Sequence, residues 1–258
     1  MGTSTYDFEG ETAIVTGGSS GIGRAVARRF GEAGATVVVA DVRAEPKGKG
    51  GPTHEAIEDQ GGRATFVETD VSDPAAVESL VEGAREFGGV DVMVNNAGIF
   101  RGAPLLETNT DTFDRLYATN ARSVLVGTRA AATDMLDREE PGTVVNTASI
   151  SSEFAQAGHA AYDPSKAAVM MLTRVAALEL AGRGIRVNAV APGAVATGIG
   201  SGGEEYSIPD SARVEKEAPM GRRGDPEEIA GSYLFLASED ASFVTGHLLY
   251  ADGGYAIH

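Results

Sequence analysis

The stretch TAIVTGGSSGIG, residues 12–23, decides how the chain is read. A short apolar run goes straight into Thr16-Gly17-Gly18-Ser19-Ser20-Gly21-Ile22-Gly23, and an arginine-rich amphipathic helix is predicted over 21–33. Gly17 suits a tight turn, Gly21 a close approach of backbone to a pyrophosphate, and Gly23 close packing of helix on strand. The N–H groups at the start of the helix would face the anionic phosphates. A glycine triplet alone is a weak signal. Set between a strand and a helix, it reads as the phosphate turn of a dinucleotide-binding unit.

Working outward, the same alternation repeats. Short apolar runs rich in valine and isoleucine lie at 12–17, 36–41, 64–70, 90–96, 142–149, 185–192 and 246–253, with helical patterns at 21–33, 53–60, 74–87, 111–135, 159–181 and 226–237. The runs are continuous, without polar alternation, as expected of strands buried on both faces of a parallel sheet. Strand and helix in regular succession predict an α/β fold, a single-domain Rossmann-type doubly wound sheet of about seven strands with helices on both faces. Residues 44–52 carry too much proline and glycine for a helix. Residues 193–225 form a long stretch, read as a substrate lid with short helical pieces near 209–216.

Bulk composition narrows the function. With 37 acidic against 21 basic residues the formal charge is −16, which argues against a basic surface for nucleic acid or an anionic membrane. Only four of the basic residues are lysines: Lys47, Lys49, Lys166 and Lys216. Many carboxylates, with arginine largely replacing lysine, suggest adaptation to high salt. The chain has no cysteine, and its four histidines (His54, His159, His247 and His258) form no cluster, so no metal site is expected. The first residues show neither the basic region nor the apolar stretch of a signal peptide, and no segment approaches the ~18 apolar residues of a membrane span, so a cytoplasmic location is expected.

Asp41 closes the second predicted strand 18 residues beyond Gly23, where an acidic side chain can bind the ribose hydroxyls of the adenosine half and repel a 2′-phosphate. Ser20 and Val42 are uncharged, so NAD is favoured as cofactor. Arg43, Lys47 and Lys49, on a basic loop, leave NADP as the alternative.

Tyr162 and Lys166 are four residues apart on one face of a predicted helix. A phenol of pKa near 10 can act as a base around neutral pH only if its anion is strongly stabilised, and a neighbouring ammonium can supply much of that. A lysine kept at this position in an arginine-using chain suits a compact group with three rotatable donors.

Tyr-x-x-x-Lys is commonplace alone. Its company here is 16–23 (TGGSSGIG), 95–98 (NNAG), Asn120, Ser149, 162–166 (YDPSK), 192–193 (PG) and 252–254 (DGG). In order and spacing these resemble the short-chain dehydrogenase/reductases, from about residue 8 to 255. The resemblance implies Tyr162 as acid/base, Ser149 as holder of the substrate oxygen, Lys166 binding the nicotinamide ribose and lowering the tyrosine pKa, and Asn120 holding a proton-relay water. It implies Asp70 and Val71 at the adenine, Asn96, Ala97 and Gly98 in the cofactor floor, and Thr197 on the carboxamide with Pro192, Gly193 and Val195 beside it. Ser19 and Ile22 belong to the phosphate turn. A homotetramer built through helices 111–135 and 159–181 is also implied.

One departure from the family pattern is Pro164, between Tyr162 and Lys166. It is compatible with a helix that begins at or just before Tyr162, because proline is tolerated in a first turn. The reaction expected is hydride transfer between a secondary alcohol or ketone and NAD. Phe100, Arg101, Ile150, Ser151, Glu153, Phe154, Gln156 and His159 are candidate pocket residues, and Glu153, Gln156 and His159 lean towards a sugar or polyol. The alternatives are a hydrophobic secondary alcohol or steroid-like ligand as substrate, an NADP-dependent reductase of a ketone or 3-oxoacyl thioester, and a non-catalytic dinucleotide sensor.

Overall fold

The computed structural model describes residues 4–197 and 218–257. Seven strands, β1 (Thr12–Thr16), β2 (Thr36–Asp41), β3 (Arg63–Glu68), β4 (Val92–Asn95), β5 (Gly142–Thr147), β6 (Ile185–Pro192) and β7 (Leu248–Ala251), form one sheet in the order β3-β2-β1-β4-β5-β6-β7. Every pairing is parallel, with Val15 beside Val39 and Val94, for example. The helices are α1 (Gly21–Glu32), α2 (Thr53–Glu58), α3 (Pro74–Gly83), α4 (Thr110–Tyr117), α5 (Ser123–Asp137), α6 (Tyr162–Leu180) and α7 (Pro226–Ala237). The doubly wound α/β architecture expected from the sequence is therefore present.

The continuous apolar runs become strands with both faces covered. Because side chains alternate across a strand, Ala13, Val15, Val37, Val39 and Val94 pack under α1 and α7 with Phe30, Tyr233 and Leu234. Ile14, Val38, Met93, Val144 and Val187 face the other way, towards Leu80, Ala131, Met135 and Ala177 of α3, α5 and α6. Asp134, buried on α5, accepts from the Val90 N–H (2.9 Å), Arg85 Nε (2.7 Å) and Arg138 Nε (3.1 Å), which fixes the entry of β4.

Two local outcomes differ from the sequence reading. The helix expected over 111–135 is interrupted by a π-helical turn, Ala118–Arg122, with Asn120 fully buried inside it. Helix α6 starts at Tyr162 and not at 159: the His159 carbonyl accepts the N–H groups of Tyr162 and Asp163 (3.0 Å each), leaving Pro164 as the third helical residue. Its missing N–H is one that the first turn leaves unpaired anyway, so the departure is accommodated without a kink. Of the stretch 193–225 read as a lid, 198–217, including the helical pieces near 209–216, lies outside the described residues.

Strand order reverses at β1, which has β2 and β3 on one side and β4 to β7 on the other. The loops that leave β1 and β4 diverge there and open a crevice at the carboxyl ends of the strands, where such sheets bind ligands.

Candidate active site

At that crevice lies an elongated cleft of about 800 Å³. One end is the glycine turn. Gly17 has φ +66°, a left-handed backbone, and a Cβ there would sit 2.9 Å from Ala97 Cα. A Cβ at Gly23 would sit 2.2 Å from the Gly17 carbonyl oxygen, so only glycine lets α1 start this close to β1. Asn96 Nδ2 donates to the Thr16 carbonyl (2.9 Å) and Thr16 Oγ1 accepts from the N–H groups of Asn96 and Ala97, which ties the ends of β1 and β4 together. The expected floor residues Asn96, Ala97 and Gly98 thus line the cleft.

Asp41 stands at the end of β2 with Oδ2 accepting the Ser19 N–H (3.1 Å) and Oδ1 the Val42 N–H (2.8 Å), so its carboxylate is anchored at the cleft wall. Asp70, whose carboxyl is held below its ordinary range by hydrogen bonds from Ser72, and Val71 line the same end. Ser19 Oγ is buried with no hydrogen-bond partner among the described residues. An orphaned hydroxyl beside a glycine cradle and free helix N–H groups is the donor set an anionic nucleotide needs, so the residues present fit a dinucleotide. The irregular segment after β2 folds back over this end: the Lys47 N–H donates to Ser20 Oγ (2.8 Å), and Thr53, at the start of α2, receives Arg24 Nη1 (2.9 Å) and donates to the Gly18 carbonyl (2.9 Å).

The other end of the cleft holds Ser149, Tyr162 and Lys166. Ser149 follows β5 and caps a short turn, Ile150–Ser152, through its Oγ and the Ser151 N–H (3.1 Å). Its hydroxyl approaches the Tyr162 phenol and acts to lower that group's pKa. One helical turn on, Lys166 Nζ donates to the Thr147 carbonyl (2.8 Å) and lies 5.8 Å from the Tyr162 ring centre. Burial pushes Tyr162 up to about 12, partly offset by Ser149, while the charge of Asp163 raises it further; burial pushes Lys166 down to about 8.

Asn120 sits behind the cleft and not on its wall. Its Nδ2 donates to the Ile99 carbonyl (2.9 Å) and to Ser165 Oγ (3.1 Å), and its Oδ1 accepts the Ile99 N–H (2.9 Å). Pro192, Gly193, Val195 and Thr197 close the opposite wall, and a Cβ at Gly21 would lie 3.2 Å from Thr197 Cγ2.

Beyond the phenol, Phe100, Ile150, Ser151, Gln156 and His159 line the remaining space. Glu153, expected there, is engaged elsewhere: it accepts a hydrogen bond from the Tyr250 hydroxyl of β7 and pairs with Arg174 of α6 at 3.6 Å. Arg101 is exposed, and the Phe154 ring meets Tyr255 edge to face. Two residues missed in the sequence support the site. Thr147 supplies the carbonyl for Lys166, and the fully buried Tyr233 of α7 holds the Thr147 hydroxyl (2.7 Å). The helical pattern around Tyr233 reads only as core.

Comparison with known proteins agrees with this geometry. The family model described as enoyl-(acyl carrier protein) reductase matches residues 17–256. The chain is 43% identical to 3beta-hydroxysteroid dehydrogenase 1 of Eggerthella lenta over 98% of its length and 96% of the relative's. A crystal structure of a short-chain type dehydrogenase/reductase from Mycobacterium marinum superposes with a TM-score of 0.86 at 35% identity, covering 98% of both chains. Another, from Agrobacterium tumefaciens, carries a provisional assignment as a 2-deoxy-D-gluconate 3-dehydrogenase and has NADP bound; its TM-score is 0.85 at 34% identity, covering 99% of this chain and all of the other. The chain belongs to the short-chain dehydrogenase/reductase family and is an oxidoreductase acting on CH–OH groups.

Proposed function

We propose that the chain oxidises a secondary alcohol of the sugar or polyol type with NAD, Tyr162 serving as the acid/base. The observation that carries this reading is one continuous cleft lined by Ser149 and Tyr162 at one end and by the anchored Asp41 carboxylate at the other. The substrate hydroxyl sits between Ser149 Oγ and the Tyr162 phenol, Ser149 orients it, and Tyr162 takes its proton. Bound NAD⁺ supplies the hydride acceptor, and its positive ring a counter-charge to the phenolate. Lys166, kept charged in the loaded site, holds the nicotinamide ribose and the phenolate. Asn120 fixes Ile99 and the first turn of α6 through Ser165, so its amide positions the floor under Tyr162 and Lys166. Thr197 meets the carboxamide, with Pro192, Gly193 and Val195 beside it. The phosphate turn of Gly17, Ser19, Ser20, Gly21, Ile22 and Gly23 holds the pyrophosphate, and Asp41, Val42, Asp70 and Val71 the adenosine.

NADP is the second reading, favoured by the NADP in the Agrobacterium neighbour and by Lys47 at the cleft wall. Asp41 opposes it, because a fixed carboxylate repels a 2′-phosphate and accepts from ribose hydroxyls. For assembly we infer a homotetramer. Met171, Val175 and Leu178 are exposed on one face of α6, Leu125 is exposed on α5, and Phe243 and Ile257 are exposed outside these helices. Such surfaces suit isologous contacts between copies.

The test is a screen of sugars, polyols and simple secondary alcohols with NAD⁺ and NADP⁺ at low and molar salt. Turnover of a polyhydroxylated alcohol with NAD⁺, strongest at high salt, is expected. Turnover with NADP⁺ alone would overturn the cofactor assignment.

A further inference from the structure

Beside Tyr162 the substrate end of the cleft contains a pair that the acid/base chemistry does not use. His159 Nδ1 lies 3.0 Å from Asp163 Oδ1, and Asp163 Oδ2 accepts the Gln156 N–H (2.6 Å). Gln156 Nε2 in turn donates to Ser151 Oγ (2.7 Å). The imidazole meets Phe100 edge to face at 4.8 Å and Tyr162 at 5.9 Å between ring centres. The backbone at 158–159 is held as well, since the Gly158 carbonyl accepts the Ala103 N–H (2.8 Å). Both the position and the rotation of this ring are therefore fixed. Its other nitrogen, Nε2, has no hydrogen-bond partner among the described residues, in a side chain that lines the cleft.

A carboxylate can only accept, so Asp163 holds the ring proton on Nδ1 and leaves Nε2 of the neutral ring as a lone-pair acceptor. We propose that His159 is a specificity-determining residue whose Nε2 accepts a hydrogen bond from a second hydroxyl of the substrate, adjacent to the one that Tyr162 deprotonates. The preferred substrate class is then a vicinal diol unit, as in a polyol or sugar, and a lone alcohol leaves Nε2 unpaired. The proposal rests on the dehydrogenase reading above and adds to it the residue and the position of the second hydroxyl.

Matched substrates test it: cyclohexanol, cyclohexane-1,2-diol and 2-methoxycyclohexanol, the last carrying an acceptor but no donor beside the reacting carbon. The wild-type chain should favour the diol over cyclohexanol in kcat/KM by about fivefold to tenfold, the worth of one neutral hydrogen bond, and should gain nothing from the methoxy group. His159→Phe keeps a ring against Phe100 and Tyr162 and should bring the diol preference close to one. Asp163→Asn lets an amide donate to Nδ1, which moves the ring proton to Nε2; because a hydroxyl also accepts, this variant should keep a diol preference and gain a methoxy preference that the wild-type chain lacks, and it serves if His159→Phe does not fold. A diol preference unchanged in His159→Phe, or no methoxy gain in Asp163→Asn, overturns the assignment of His159 and leaves the dehydrogenase reading intact. Failure of the wild-type chain, with NADH shown to bind, to oxidise any alcohol overturns the dehydrogenase reading and this proposal with it.

Discussion

Replacing Lys166 by methionine keeps the length of the side chain and removes its charge. In the loaded site we take the ammonium to be charged at its present 5.8 Å from the centre of the Tyr162 ring. With an effective dielectric constant near 20, a unit charge at that distance stabilises the phenolate by about 3 kcal/mol, or ~2 pKa units. Alcohol oxidation needs the deprotonated phenol, so its rate rises with pH up to the tyrosine pKa. Without the ammonium the rising limb moves to higher pH by the same amount. At a fixed pH on that limb, kcat therefore falls by roughly 100-fold. The assay is the pH profile of reduced-nicotinamide formation at saturating cofactor, which removes the separate effect of Lys166 on cofactor affinity. The Thr147 carbonyl also loses its donor, at a cost of about 1–3 kcal/mol in stability, so thermal unfolding of the variant should be followed in parallel. A loss of activity that is equal at every pH, with the limb unmoved, would refute the electrostatic role and leave Lys166 as a holder of structure or cofactor.

Three further outcomes follow from the same geometry. Asp41→Ala should shift the ratio of NAD⁺ to NADP⁺ affinity towards NADP⁺ by about tenfold, or ~1.4 kcal/mol; an unchanged ratio would remove Asp41 as the discriminating group. Gly23→Ala places a methyl group against the Gly17 carbonyl, an overpacking that costs about 1–3 kcal/mol and lowers Tm by roughly 2–10 °C, and NADH affinity, measured by fluorescence titration, should fall with it. Tyr233→Phe deletes the bond to Thr147 Oγ1, costing about 1 kcal/mol of stability in chemical denaturation. Because Thr147 also holds Lys166, kcat should drop severalfold, and unchanged kcat would make the Tyr233 hydroxyl a bystander.

What the sequence made legible was the part set by local pattern. The Val/Ile runs fall within two residues of the observed strand starts, since a strand buried on both faces needs continuous apolar residues. The phosphate turn was equally readable, because a left-handed Gly17 and a crowded Gly23 admit no other residue type. Features fixed by distant partners were not. Glu153 looks like a pocket residue beside Ser149, yet Arg174 and Tyr250, 21 and 97 positions away in the chain, draw it outwards. Tyr233 looks like core until Thr147 comes beneath it. The π-helical turn that buries Asn120 has no periodic signal, as one extra residue in a helix alters no pattern that a short window detects. The opposite pKa shifts of Tyr162 and Lys166 arise from burial, a property of the folded cleft and not of the spacing between the two residues.

The account stands most directly on Tyr162, and the measurement that tests it is a paired one on Tyr162→Phe: NADH affinity by fluorescence titration, and single-turnover oxidation of the best alcohol from the screen. Loss of an acid/base group typically costs about 100- to 10,000-fold in rate, so the account predicts cofactor affinity within about twofold of wild type and turnover reduced by at least that factor. Turnover retained within tenfold, with cofactor affinity unchanged, would contradict it.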